Sequence, residues 1–468
     1  MKSLRSRRTV LAAAATLMLV MGCTPLASPT IQLPLDAAPS EMAASTSTMP
    51  VKGSPIGTAD QLPSQQAAEA SLTPTPTATG RLVEFEDQLA QVGFSIPLTI
   101  QHISSSSAWL YFELELPVAG EVFYWLEGTE TSGVNSVEFE VGSGRHIVEL
   151  DQLSPGKQYK VRVGLPMENG KFRSPGLNGE EWGITTLKTL AEKPEHLRVA
   201  VIGDSGFGET ITFALAAQMA SRQPDFVIHT GDVVYSIFEN GTPLRAFQAK
   251  YFWPFQNVLL QAPVYAVPGN HEYYSDAMIN GVPFYFHVFP PLGEYIMDGS
   301  WVGSGEGQRS WFAVRMMDYQ FLFLDSQLFY APGNLSGQTD WLQEQLAEHP
   351  GPTIGIYHIP TYTSGHYKAD GIPIRRTWLT LFTEANTVLI LSGHEHNYER
   401  LNVDGMDFIV SGGGSRHLYP LEVPFEGSRV FSSESHFVLL DLYKDHIEVE
   451  VFNEFGDLID KADLTIED

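Results

Sequence analysis

The pattern of apolar and polar positions divides the chain into three regimes. From Thr24 to about Arg81, Ala, Ser, Thr, Pro and Gln dominate, as in Ser71-Leu72-Thr73-Pro74-Thr75-Pro76-Thr77, and no period of 2 or 3.6 residues persists. Such a segment reads as a solvated tether, placed at residues 23–85. From about Leu98 to Thr189 short apolar or alternating runs, such as Ala108–Leu114 and Val122–Trp125, are separated by Gly, Ser and Asn turns. That spacing predicts a small all-β sandwich over residues 90–190. From His196 onward buried-strand runs alternate with helical stretches: Leu197–Ile202, a helix near Thr210–Arg222, Phe226–Thr230, a helix near Leu244–Gln261, then Val264–Val267. This predicts βαβ architecture and an α/β domain over residues 195–468.

Composition narrows the chemistry. The 468 residues carry 28 Lys and Arg against 55 Asp and Glu, a net charge of −27, which excludes a bulk electrostatic attraction to nucleic acid. A phosphate-bearing substrate would need a local cation. One cysteine excludes an internal disulfide framework and a multi-cysteine metal site, leaving His, Asp, Asn and Tyr as strong ligands.

That cysteine sits near the N-terminus. Lys2, Arg5, Arg7 and Arg8 precede an apolar stretch, Thr9–Met21, too short to span a bilayer, so residues 1–22 read as a secretory signal. Val20-Met21-Gly22-Cys23 resembles a bacterial lipobox, which implies a lipid on Cys23 and attachment to the cell envelope, facing outside the cytoplasm. Ser6-Arg7-Arg8-Thr9-Val10-Leu11 also resembles a twin-arginine export signal, and the general secretory route stands beside it.

Polar motifs fall where apolar runs end. Gly203-Asp204-Ser205-Gly206 follows the first strand of the α/β region, Gly231-Asp232-Val233-Val234-Tyr235 the second, and Gly269-Asn270-His271-Glu272 the third. Farther on, Ile354-Gly355-Ile356-Tyr357 leads to His358, and Val388–Ser392 leads to Gly393-His394-Glu395-His396. In open α/β sheets, loops after the carboxyl ends of strands build the site. Five strand ends thus deliver carboxylates, an amide, imidazoles and a phenol to one region.

In this order the motifs resemble those of the metallophosphoesterase superfamily and, within it, the purple acid phosphatases. The resemblance implies a four-layer αββα sandwich preceded by a fibronectin type III-like domain, in which Leu153–Val163 resembles a tyrosine-corner stretch around Tyr159. It also implies two metal ions bridged by Asp232. Asp204, Tyr235 and His396 complete the first, Fe(III), and Asn270, His358 and His394 the second, Zn(II), Mn(II) or Fe(II). His271 then protonates the leaving oxygen or binds phosphate, and His366, in the loop after His358, binds substrate.

The activity implied is acid-phosphatase hydrolysis of phosphate monoesters through attack by a metal-bound hydroxide. The alternative is a phosphodiesterase or nucleotide pyrophosphatase with the same centre. A non-catalytic surface protein on this fold would be marked by lost ligands. His229 is read as a buried supporting histidine, Glu399 and Arg400 as an ion pair, and Gly412–Ser415 as a turn near the site.

Overall fold

The computed structural model describes residues 92–466 apart from 143, 168, 236, 291–300 and 303–309. The signal, the lipobox and the whole of the tether lie outside the described residues. Among the described residues no helix is long and apolar enough to cross a membrane.

An all-β sandwich comes first. One sheet orders Arg145–Leu150, Ala108–Leu114, Phe94–Ile103, Gly176–Leu177 and Glu180–Glu181, and the facing sheet orders Thr185–Lys188, Gln158–Pro166, Gly120–Leu126 and Asn135–Phe139. Apolar side chains from both sheets meet between them; Phe112 of the first packs edge-on to Phe139 of the second, ring centroids 5.2 Å apart. The Tyr159 hydroxyl accepts the Ser154 N–H at 2.8 Å, the corner bond that ties the strand to the turn before it.

The α/β region holds two sheets. In the first, strands β1 (Leu197–Ile202), β2 (Phe226–His229) and β3 (Val264–Ala266) run parallel. The second is built on β4 (Phe312–Met316), β5 (Tyr319–Phe323), β6 (Thr353–Ile356), β7 (Thr387–Ser392), β8 (Tyr398–Val403), β9 (Met406–Ser411) and β10 (Ser428–Ser432). Three C-terminal strands, β11 (His436–Leu442), β12 (His446–Asn453) and β13 (Leu458–Thr465), return to the first sheet, giving the order β3-β2-β1-β11-β12-β13. In the second sheet β5, β6, β7 and β9 are parallel neighbours.

The sheets face each other, with Phe226 of β2 edge-on to Phe321 of β5 at 5.1 Å. Helix Thr210–Ser221 covers the first sheet through Leu215, Ala216 and Met219, while Trp341 and Leu342 of helix Leu335–Glu348, Phe382 of helix Leu379–Thr383, and Trp378, between helices Ile372–Thr377 and Leu379–Thr383, cover the second. The result is a four-layer αββα sandwich preceded by an all-β domain.

One helix departs from its expected course. Where the apolar period predicts a single helix near Leu244–Gln261, the chain forms helix Pro243–Phe247, a π turn at Gln248–Phe252 and helix Gln256–Leu259. Pro254 is the cause. It has no N–H to donate, and its ring displaces the carbonyl four residues back, so the regular ladder cannot pass through it.

Candidate metal centre

Parallel strands β1, β2 and β3 present their carboxyl ends side by side, and β6 and β7 do the same in the facing sheet. The residues that follow must turn at once, and several do so under strain. Asp204, Asp232 and His394 have φ of 57°, 54° and 69°, a left-handed backbone that costs a non-glycine residue about 1–3 kcal/mol each. Gly231, at φ 102°, makes the turn that aims Asp232. Gly269 has a different reason to be glycine, since a Cβ there would strike the Asp232 carboxylate.

The turns bring the side chains into one cluster. Asp204, Asp232 and His396 are buried, with ligand atoms all within 4.8 Å of one another. The Tyr235 hydroxyl donates to Asp204 Oδ1 at 3.0 Å and stands 3.1 Å from His396 Nε2, which is itself 3.4 Å from Asp204 Oδ1. On the other side, Asn270 Oδ1 lies 3.1 Å from both His358 Nε2 and His394 Nδ1. His358 Nε2 is 3.5 Å from Asp232 Oδ1, which joins the two groups. The seven residues named as ligands from the sequence therefore stand together. His271 borders them, its N–H donating to Asp232 Oδ1 at 3.0 Å and its ring 4.3 Å from that of Tyr235. His366 does not join the cluster; it is 62% exposed and its Nδ1 pairs with Glu422 at 2.7 Å.

The cluster fits a metal centre. His358 turns Nδ1 to the Thr230 carbonyl at 2.9 Å and His396 turns Nδ1 to the His417 carbonyl at 2.5 Å. A proton held on each Nδ1 leaves the Nε2 lone pair pointing at carboxylate and amide oxygens, acceptor against acceptor, an arrangement that calls for a cation. Separations of 3.0 to 3.5 Å between donor atoms match the edges of a site with metal–ligand bonds of about 2.0–2.2 Å.

Electrostatics agree. Burial would raise the Asp232 carboxyl, but His358, His271 and His394 around it bring it down to about 2, so it is an anion. Burial and the charges of Asp204 and Asp232 push the Tyr235 phenol well above its ordinary value, so only a strongly charged ion could make it a phenolate. Burial likewise lowers His271, against the pull of Asp232.

Three supporting residues, Glu272, Asp370 and Glu395, were given no role by the sequence, and a fourth, Glu399, was given a different one. Glu272 is buried and accepts the N–H groups of Asp232, Val233, Val234 and Gly269 at 3.0, 2.9, 3.2 and 2.7 Å. It locks the loop of Asp232 to the loop of Asn270; its place in Gly269-Asn270-His271-Glu272 was the available signal. Asp370 Oδ2 sits 3.2 Å from His394 Nε2, the nitrogen opposite the one facing Asn270. Glu395 accepts the Tyr367 N–H, and Glu399 accepts from Ser364 N–H at 2.7 Å, Ser364 Oγ at 2.5 Å and Thr363 Oγ1 at 3.2 Å, so both hold the His366 loop.

That corrects the reading of Glu399 and Arg400 as an ion pair. On a strand, adjacent side chains point to opposite faces, so Glu399 turns to the loop while Arg400 pairs with Asp460 at 2.7 Å. His229 is buried beneath the site, its Nδ1 accepting the Gly231 N–H at 3.2 Å and its Nε2 donating to Ser205 Oγ at 2.8 Å. Gly412 and Gly414 spend their N–H groups on Asn397 and Gly203 carbonyls, as a turn does.

Residues 197–398 match the family model described as calcineurin-like phosphoesterase. The α/β half has the metallophosphoesterase fold. Among curated proteins, purple acid phosphatase 4 of Arabidopsis thaliana is 25% identical over 314 residues, covering 62% of this chain and 89% of that protein. A probable cyclic nucleotide phosphodiesterase of Synechococcus sp. is 27% identical over 187 residues, covering 39% of this chain and 62% of that protein. Among solved structures, purple acid phosphatase from yellow lupin (Lupinus luteus) seeds superposes with a TM-score of 0.61 at 17% identity, covering 79% of this chain and 74% of that one. PhoD superposes at 0.56 and 14% identity, covering 80% and 89%. The likeness to the lupin enzyme spans both the all-β domain and the α/β domain, and at this identity it speaks for the fold alone.

Proposed function

We propose that this chain is a metallophosphoesterase of the acid-phosphatase type, a hydrolase of phosphate monoesters that works with two metal ions. The observation that carries the reading is Tyr235. It adds a phenol oxygen, 3.0 Å from Asp204 and 3.1 Å from His396, to a buried group that already offers two carboxylates and an imidazole. Hard oxygens of this kind suit a trivalent ion, for which we propose Fe(III), beside Zn(II), Mn(II) or Fe(II) held by Asp232, Asn270, His358 and His394. The metal ions would offset phosphate charge and activate water.

The remaining work falls to the chain. Asp232 reaches both ligand groups, Glu272 fixes the loops that carry it, and the Thr230 and His417 carbonyls hold His358 and His396 in the ligating tautomer. His271 is 28% exposed on its side chain and 3.9 Å from Asp232, at the edge where a leaving oxygen would need a proton. His366 is proposed as a substrate contact; its pair with Glu422, together with weaker neighbouring charges, raises its pKa against a small burial penalty. Export and lipid attachment through Cys23 belong to the same proposal and are supported by the N-terminal motifs alone.

The test compares kcat/KM for a monoester and a diester sharing one chromogenic leaving group, on metal-loaded protein, with Asn270→Ala as the blank. The expected result is a monoester preference of at least tenfold that vanishes in the blank. A diester preference would move the assignment to a phosphodiesterase, the activity named for the Synechococcus relative.

A further inference from the structure

Three aromatic rings border the cluster and keep part of their surface open. Tyr274 is 49% exposed; its hydroxyl accepts the Asn270 amide at 3.0 Å and its ring lies 4.5 Å from His271. Tyr367, partly exposed, places its ring 4.7 Å from His394 and 5.9 Å from Tyr419. Tyr419, also partly exposed, stacks on His396 at 4.4 Å with the planes 9° apart. Each ring is pinned to a residue of the proposed reaction. A flat group entering with the phosphate therefore meets aromatic surface already oriented, with little side-chain freedom left to lose.

The charged groups at the same mouth point another way. Asp370 lies 3.2 Å from His394, Glu422 2.7 Å from His366, and Glu209 3.5 Å from His417, whose ring stacks on Phe207 above Tyr235. Lys368, a cation beside them, is 4.0 Å from Glu422. A substrate with several phosphates would bring its outer charges against these carboxylates, whereas a single phosphate carried on a planar ring system would not.

Resting on the phosphomonoesterase reading, we infer that the substrate class is nucleoside monophosphates, with the base stacked on the rim tyrosines and the phosphate at the metal centre. In the step, water oxygen bonds to phosphorus, the bond from phosphorus to the ribose oxygen breaks, and that oxygen takes a proton, releasing nucleoside and inorganic phosphate.

The experiment measures kcat/KM for AMP and for ribose 5-phosphate, which share the leaving alcohol and differ by the base, and for ATP. On metal-loaded protein AMP should lead ribose 5-phosphate by about fivefold or more, the range expected of base stacking on an aromatic ring, and should lead ATP as well. In Tyr274→Ala and Tyr367→Ala the ratio of AMP to ribose 5-phosphate should fall toward one. In Tyr274→Phe, which keeps the ring and loses the bond to Asn270, the ratio should persist even where both rates drop. A ratio near one in the native protein, a preference for ATP, or loss of the ratio in Tyr274→Phe would overturn the inference while leaving the parent reading in place. Turnover of none of the three esters would remove both.

Discussion

The centre depends on residues that touch no substrate. Glu272 shows how far one side chain can reach: four N–H donors from two loops converge on a buried carboxylate, and both loops carry proposed ligands. Burial and the charge of Asp232 push its carboxyl up, and the donors from Gly269, Val234 and Val233 oppose that shift. Glu272→Gln keeps the shape but replaces one acceptor oxygen with an NH2 that faces backbone donors. A buried N–H left without its acceptor costs about 1–3 kcal/mol, so the variant should lose about 3 kcal/mol in chemical denaturation and bind less metal by elemental analysis. Native stability with full metal content would show that the loops hold themselves. The seven proposed ligands were legible because each follows an apolar strand run in a short motif. Glu272 stood in such a motif without a role, and Asp370 could not be found, since it meets His394 across 24 positions with no local pattern to mark the meeting.

At the level of elements, the sandwich and the α/β domain are joined by more than apolar contact. His102 meets the Tyr265 hydroxyl at 2.7 Å, Gln248 donates to the Ser95 carbonyl at 2.9 Å, and Glu113 gathers a polar cluster. Its carboxylate takes the Tyr111 hydroxyl at 2.6 Å, Arg145 Nε at 2.9 Å and His287 Nε2 at 2.7 Å, the last from the α/β side. Burial works against the charge, but His287, Tyr111 and Arg145 outweigh it and hold the carboxyl below its ordinary 4.5. A depressed carboxyl pKa stabilises the folded state above the unfolded value, and that contribution is lost as pH falls through the folded value. Glu113→Gln should therefore be less stable than the native protein near pH 7, by about 1.5 kcal/mol. The gap should close as pH drops below about 4.5 in a thermal unfolding series. A gap that is constant with pH would assign the effect to packing. None of this cluster was legible in sequence, because Glu113 and His287 are 174 positions apart and each looks like an ordinary strand or loop residue. The strands themselves were legible, since buried β runs announce themselves by composition, whereas the helix expected near Leu244–Gln261 was overruled by Pro254.

The whole molecule sets a charge problem that the site must answer. A net charge of −27 surrounds a centre proposed to receive a phosphate dianion, and Asp370, Glu422 and Glu209 add negative charge at its mouth. At about 10 mM salt the screening length is about 30 Å, so an approaching substrate feels much of the protein; at about 150 mM it is about 8 Å, and only charges near the site count. If the acidic surface governs the encounter, added salt removes a repulsion. The kcat/KM for a dianionic monoester should then rise, by about twofold or more, between those two conditions, with kcat changing less because it is set after binding. A neutral or monoanionic ester should respond weakly, which separates screening from a general effect of salt on the protein. A fall in kcat/KM for the dianion would mean that cations at the centre, not the acidic surface, set the field the substrate follows inward.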